Sequence, residues 1–213
     1  MNKTDKKKID YTLYLVTDRE LMSCHTVEES VERAIAGGTS VVQLREKCCG
    51  SREFYELARR VKKITSDYGV PLIINDRLDI CLAADADGVH LGQKDIPCST
   101  ARKILGADKI IGVSAALPEE ARQAELDGAD YLGVGAVFAT STKSDTRPVT
   151  PETIRQIRAA VTIPFVAIGG INLENISQLY GLGINGAAVV SAVVAQGDIE
   201  AAARKMRAAA EKL

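Results

Sequence analysis

The sequence predicts an α/β fold, a single (β/α)8 TIM barrel spanning its 213 residues, on three observations. Short runs rich in Val, Ile and Leu alternate with amphipathic helical stretches along the whole chain. Those runs are apolar almost without interruption, as strands buried on both faces of a parallel sheet must be. A glycine-bearing phrase recurs where helices give way to strands. Alternation of this kind implies parallel pairing through right-handed crossovers. Eight units fit a closed barrel better than an open doubly wound sheet, whose dinucleotide fingerprint, set between a strand and the helix it opens, is missing.

The elements follow in order. Tyr11–Thr17 reads as the first strand, and Glu28 to Ala36 as a helix with Val31, Ala34 and Ile35 on one face. Ala36-Gly37-Gly38 stops that helix, since glycine tolerates the left-handed conformation a helix end needs. The second strand is Ser40–Arg45; the helix after it, Arg52 to Tyr68, spaces Phe54, Leu57, Val61 and Ile64 by three and four. Leu72–Asn75 is the third strand, and Ala83-Ala84-Asp85-Ala86-Asp87-Gly88 leads into the fourth, Gly88–Leu91. Ile110–Ser114 is the fifth, after which Pro118-Glu119-Glu120 opens a helix. Leu126-Asp127-Gly128-Ala129-Asp130 leads into the sixth strand, Tyr131–Val137, and Thr150-Pro151-Glu152 opens the next helix. Phe165–Ile168 is the seventh strand, with a helix expected to start near Asn172. Gly181-Leu182-Gly183-Ile184-Asn185-Gly186 precedes the eighth, Ala187–Val190. The final helix repeats Ile199, Ala203, Met206, Ala210 and Leu213 on one stripe.

No low-complexity linker interrupts this pattern, so residues 1–213 read as one domain, with residues 1–9 a polar tail. A net charge of -1 argues against a general nucleic-acid binder. No run reaches the roughly 18 apolar residues of a membrane span, and no apolar core follows the basic N-terminus. A cytoplasmic protein is therefore expected. Cys24, Cys48, Cys49, Cys81 and Cys98 lack zinc-ligand spacing and read as small hydrophobes in a reducing compartment.

In such barrels the active site lies at the C-terminal ends of the strands, where the polar residues gather. Gln43, Arg45 and Lys47 share one parity at the end of the second strand. A guanidinium fork and an ammonium there suit an oxyanion such as a diphosphate, although Val41 shares their parity and an outward, solvated face fits it equally. Asp76 and Asp95 fall at neighbouring strand ends; two carboxylates with few other ligands suit Mg2+, or else cap helices. Thr140-Ser141-Thr142-Lys143 offers hydroxyls and a cation to a phosphate. Gly169-Gly170 after the seventh strand and Val190-Ser191 after the eighth suit a phosphate monoester. His90 reads as a hydrogen-bonded structural histidine and His25 as a surface one; Glu46 points away from Arg45 and makes a poor base.

These strings together resemble the thiamine-phosphate synthase family. They include Tyr14-Leu15-Val16-Thr17-Asp18, Val42-Gln43-Leu44-Arg45-Glu46-Lys47, Ile73-Ile74-Asn75-Asp76-Arg77 and Asp87-Gly88-Val89-His90-Leu91-Gly92-Gln93. Gly112-Val113-Ser114, Thr140-Ser141-Thr142-Lys143, Ala167-Ile168-Gly169-Gly170-Ile171 and Val190-Ser191-Ala192 continue the match in order. The resemblance implies a transferase that joins hydroxymethylpyrimidine diphosphate to a (carboxy)thiazole phosphate and releases diphosphate. It implies a pyrimidine-diphosphate shell of Gln43, Leu44, Arg45, Glu46, Lys47, Asn75, Ser114 and Lys143, with Arg45, Lys47 and Lys143 catalytic. It further implies Asp76 and Asp95 as ligands of Mg2+, and Thr140, Ser141, Thr142, Gly170, Val190 and Ser191 around the thiazole phosphate. The expected partners are these small molecules, with neither nucleic acid nor membrane; a homo-oligomer stays open. Two departures bear on the pocket wall: Ala115-Ala116 follow Ser114 where the family often has a histidine, and Gly135-Ala136-Val137-Phe138-Ala139 lacks its frequent prolines. A thiazole tautomerase, a sugar-phosphate isomerase or aldolase, and a non-enzymatic regulator are the rival readings. Retention of Asp76, Asp95, Lys143 and the second-strand cations weighs against the tautomerase.

Overall fold

The computed structural model describes residues 6–140 and 147–213. Eight parallel strands close on themselves in sequence order: β1 (Leu13–Val16), β2 (Val41–Leu44), β3 (Leu72–Asn75), β4 (Gly88–Leu91), β5 (Ile110–Ala115), β6 (Tyr131–Gly135), β7 (Phe165–Ile168) and β8 (Gly186–Val189). The ring closes where β8 pairs with β1, Ala188 standing opposite Tyr14. The outer layer holds α1 (Val27–Ala36), α2 (Ser51–Asp67), α3 (Leu78–Ala83), α4 (Cys98–Leu105), α5 (Pro118–Leu126), α6 (Pro151–Ala160), the short α7 (Ser191–Val194) and α8 (Ile199–Ala210). The α/β class and (β/α)8 topology predicted from the sequence are thus the observed ones.

Local chemistry sets the ends of these elements. Thr26 caps α1 by accepting from the Glu29 amide at 3.1 Å, and Thr150 caps α6 with Pro151 behind it. β6 stops at Gly135, short of the expected Val137, because the backbone turns away to another partner. Ala136 donates its amide to Arg147 O and accepts from the Val149 amide. The helix expected near Asn172 is replaced by a turn, in which Asn172 O accepts the Asn175 and Ile176 amides, and a 3-10 segment, Ile176–Leu179. Within the stretch read as a tail, Lys6 bonds Asp130 at 2.9 Å and Ile9 packs against the barrel interior.

The core has two parts. The larger lies between strands and helices and takes Leu13, Leu15, Val42, Leu44, Ile74 and their equivalents. The smaller fills the barrel axis with Tyr11, Tyr14, Val41, Ile73, Tyr131 and Val166 among others. Strand alternation divides the two, so Val42 and Leu44 face the helices while Val41 and Gln43 face the axis. Gly112 exists to admit Tyr131: a methyl at that position would lie 2.1 Å from the tyrosine ring. No helix among the described residues is long and apolar enough to cross a membrane.

Candidate active site

Above the apolar axis, at the C-terminal mouth of the barrel, lies a cavity of about 740 Å³. That is within the range of roughly 300–1,000 Å³ for small-molecule sites. Three side chains from β2 and the residues after it point into it, namely Gln43, Arg45 and Lys47. Gln43 is buried and donates from Nε2 to the Tyr14 hydroxyl at 2.8 Å. The Arg45 amide donates to Thr17 Oγ1 at 3.0 Å, ending the strand, and its guanidinium lies 3.4 Å from Asp18 Oδ2. The Arg45 Nε is buried with no hydrogen-bond partner among the described residues. A buried donor left unpaired costs about 1–3 kcal/mol, so this atom calls for an acceptor. Lys47 reaches across to pair with Asp76.

The other parity of the same segment leaves the cavity. Leu44 is fully buried in the layer between strands and helices. Glu46 folds back to Arg19, its Oε2 accepting from Nε at 3.1 Å; burial pushes its carboxyl above the ordinary range despite that arginine. Neither side chain lines the cavity.

The ends of β3 and β4 bring two carboxylates together. Asp76 has a positive φ of 64°, a conformation rare for a residue with a β-carbon. Such strain concentrates at functional positions, and here the Asp76 amide is anchored to His90 O at 2.9 Å. Asp95 accepts from the Gly92 amide at 2.6 Å. Burial first, and then the neighbouring Asp76, push the Asp95 carboxyl above its usual range. Two carboxylates in one corner, with Asp76 raising the proton affinity of Asp95, fit a divalent cation. Among the described residues no group of three or more His, Cys, Asp or Glu could hold a metal ion. A cation held by Asp76 and Asp95 would therefore take its remaining ligands from water and phosphate oxygens, as Mg2+ does.

The cavity floor is a line of polar side chains inside the barrel. The Tyr14 and Tyr131 hydroxyls lie 2.7 Å apart, Tyr131 lies 3.0 Å from His90 Nδ1, and His90 Nε2 lies 3.0 Å from Ser114 Oγ. Burial holds both tyrosine hydroxyls far above their ordinary pKa, so they stay protonated. His90 has the hydrogen-bonded environment expected of it. Asn75, also buried, completes the β3 side of the cavity. Gln93 Nε2 donates to Ser114 O at 2.6 Å.

On the opposite wall stand Thr140, Gly170, Val190 and Ser191; Ser141, Thr142 and Lys143 lie outside the described residues. Gly170 has φ 62°, and a β-carbon there would lie 2.3 Å from Ala139 O. The close approach that requires glycine is thus to the backbone of residues 138–139. Where the sequence carries Ala115-Ala116, Glu120 accepts from the Ala116 amide at 2.8 Å and pairs with Arg147 at 2.7 Å. Arg147 and Glu120 line the cavity, as do Tyr14, Tyr131 and Asp95's neighbour Gly92. Sequence reasoning missed Arg147, Glu120, Tyr14 and Tyr131. The available signal for the two tyrosines was their place within strands read as buried, since a buried tyrosine hydroxyl needs a partner.

Comparison with known proteins finds one family repeatedly. A family model described as thiamine monophosphate synthase matches residues 13–193. A thiamine-phosphate synthase of Ruminiclostridium cellulolyticum is 60% identical over 94% of this chain and 96% of the relative. One of Clostridium botulinum is 55% identical over 98% of each. The solved thiamine phosphate pyrophosphorylase of Pyrococcus furiosus superposes with a TM-score of 0.88 at 41% identity, covering 95% of this chain and 96% of that one.

Proposed function

Since the chain belongs to the thiamine monophosphate synthase family, and is a transferase of thiamine biosynthesis, we propose the following reaction for it. It joins 4-amino-5-hydroxymethyl-2-methylpyrimidine diphosphate to a (carboxy)thiazole phosphate, giving thiamine phosphate and diphosphate. The observation that carries this reading is the gathering of Arg45, Lys47, Asp76 and Asp95 around one mouth, with the Arg45 Nε buried and without a hydrogen-bond partner among the described residues. An anion with several oxygens suits the two cations, and a planar ring suits the polar floor beneath.

The chemistry needs no strong base. The bond from the pyrimidine methylene to the diphosphate oxygen breaks with its electron pair leaving on the diphosphate, and the ring stabilises the resulting cation. The thiazole nitrogen then donates its lone pair to the methylene; the carboxylated substrate also loses CO2, and the electron pair left on its ring carbon takes a proton from water. Arg45 and Lys47 meet the charge that grows on the departing oxygens, which is electrostatic stabilisation aimed at the transition state. Lys143 is expected to join them. Mg2+, held by Asp76 and Asp95, would supply further positive charge against the diphosphate. Thr140, Gly170, Val190 and Ser191 hold the thiazole phosphate on the opposite wall, and Ser141 and Thr142 are expected to contribute.

The test is a mixture of both substrates with Mg2+ and the protein, read by mass spectrometry. Thiamine phosphate and diphosphate should form in equal amounts. Conversion of the thiazole phosphate without the pyrimidine substrate would point to the tautomerase, and binding without turnover to a regulator.

A further inference from the structure

Resting on the pyrimidine reading of this cavity, we propose that Tyr14, Tyr131 and His90 are positioning residues. They form a one-way hydrogen-bond relay that holds Gln43 as an acceptor and Ser114 as a donor toward the substrate. The pocket thereby selects a ring with an amino group at the Gln43 edge.

The contacts run unbroken from β2 to β5: Gln43 Nε2 to Tyr14 at 2.8 Å, Tyr14 to Tyr131 at 2.7 Å, Tyr131 to His90 Nδ1 at 3.0 Å, and His90 Nε2 to Ser114 at 3.0 Å. Each hydroxyl has one proton to give. Tyr14 accepts from Gln43 and so gives its proton to Tyr131. Tyr131, having accepted, gives its own to His90 Nδ1. That nitrogen is then the unprotonated one, so Nε2 carries the hydrogen and donates it to Ser114 Oγ. The Ser114 proton is left for the cavity, and so is the Gln43 Oε1 carbonyl.

The opposite polarity is self-consistent too. Turning the Gln43 amide over reverses every bond and leaves Gln43 a donor and Ser114 an acceptor. The two ends are therefore coupled: they change together or not at all. A buried polar chain that is fully satisfied in one direction resists local reversal, because a half-turned chain leaves a donor facing a donor. An exocyclic amine donates and a ring oxo group accepts, so the polarity with Oε1 outward favours the amine.

Two measurements test this. Only two histidines exist, His25 and His90, so heavy-nitrogen NMR of the imidazoles, with His25→Gln for assignment, reads the relay directly. His90 should carry its hydrogen on Nε2; a hydrogen on Nδ1, or a doubly protonated ring at neutral pH, overturns the polarity. The second is ring discrimination. The protein should bind the amino ring diphosphate about 100-fold more tightly than its oxo counterpart, a difference of about 2.7 kcal/mol. Tyr131→Phe frees the Tyr14 proton to point either way, which lets the Gln43 amide turn. Discrimination should fall to about 10-fold or less, a loss of about 1.4 kcal/mol, while KM for the thiazole phosphate stays unchanged. Undiminished discrimination in a folded Tyr131→Phe sinks the relay. If that variant does not fold, Tyr14→Phe, which strips Gln43 of its partner, is read for the same effect. Failure of the unaltered protein to bind the amino ring diphosphate at all would remove the pyrimidine reading, and this proposal with it, before any variant is made.

Discussion

Lys47 at the end of β2 and Asp76 at the end of β3 form an ion pair across the mouth of the barrel. The pair matters because each partner has a second claimant in the proposed reaction: a diphosphate for the lysine, a divalent cation for the aspartate. With Asp95 alongside and its proton affinity raised by burial and by Asp76, the corner is electrostatically incomplete without added positive charge. Asp95→Asn should lower kcat/KM about 100-fold or more, equivalent to about 2.7 kcal/mol of transition-state stabilisation. The melting temperature should hold, because the side chain keeps an oxygen for the Gly92 amide. Mg2+ titrations of both proteins check this, and full activity in excess chelator contradicts it.

Arg45 offers a sharper separation of charge from geometry. Its Nε is a buried donor without a partner among the described residues. A lysine keeps the charge but not the planar fork. Arg45→Lys should therefore lower the turnover number about 10-fold to 100-fold, on the scale of one charge-assisted hydrogen bond at roughly 1.5–3 kcal/mol. Arg45→Ala should go further, and it also leaves Asp18 without its guanidinium. Single-turnover rates at saturating substrate decide this; equal rates for Arg45→Lys and the unaltered protein would show that charge alone suffices.

The fold was legible because eight apolar runs separated by glycine stops admit few alternatives, and the mouth residues were legible from where those runs end. Parity at β2 could not be settled from sequence, since Val41 and Gln43 share a face whichever way it points. Closure of the barrel decides it: Val41 packs on the axis and so carries Gln43 and Arg45 inward. The same alternation sends Leu44 and Glu46 away from the cavity, although they belong to the matched string. The contacts of Tyr14 and Tyr131 with each other and with His90 were hidden for a different reason. The three residues lie in separate strands up to 117 residues apart, and only the register of the closed sheet stacks them. Arg147 was equally invisible, because its partner Glu120 sits on a helix one unit earlier.

Stability should carry a pH signature from Glu125 at the end of α5. Burial acts to raise its carboxyl, but hydrogen bonds from the Thr162 hydroxyl at 2.6 Å and the Thr162 and Ile163 amides outweigh it and hold the pKa below the ordinary range. A carboxyl depressed on folding binds fewer protons in the folded state than in the unfolded one. Its contribution is complete above the unfolded value of about 4.3 and is lost as pH falls through the folded value. The group is mostly solvated, so screening limits the effect to about 1 kcal/mol. Glu125→Gln should lower the melting temperature by roughly 2–4 °C at neutral pH, and the two proteins should converge in acid, below the depressed folded value. A difference that persists unchanged into acid would assign the effect to packing.

Gly170 joins the proposed thiazole-phosphate wall to the backbone of the segment after β6. Val137 and Phe138 donate their amides to Ile168 O and Gly169 O, extending the contact between the two strand ends. Gly170 then turns with φ 62°, its carbonyl accepting from Asn175 Nδ2 at 2.9 Å. A β-carbon would meet two penalties at once: the left-handed conformation, and Ala139 O at 2.3 Å. The first costs on the order of 1–3 kcal/mol. The second cannot be relieved by a rotamer, because the obstacle is main chain, so residues 138–140 must shift. Thr140 lies on that segment and lines the cavity. Gly170→Ala should thus cost about 1–3 kcal/mol in stability and also raise KM for the thiazole phosphate more than KM for the pyrimidine diphosphate, since Arg45, Lys47 and the carboxylate pair stand on the opposite wall. Chemical denaturation and the two Michaelis constants, measured on one preparation, separate the components. Equal rises in both constants would mean that the shift spreads across the whole mouth, and that Gly170 does not belong to the phosphate wall in particular.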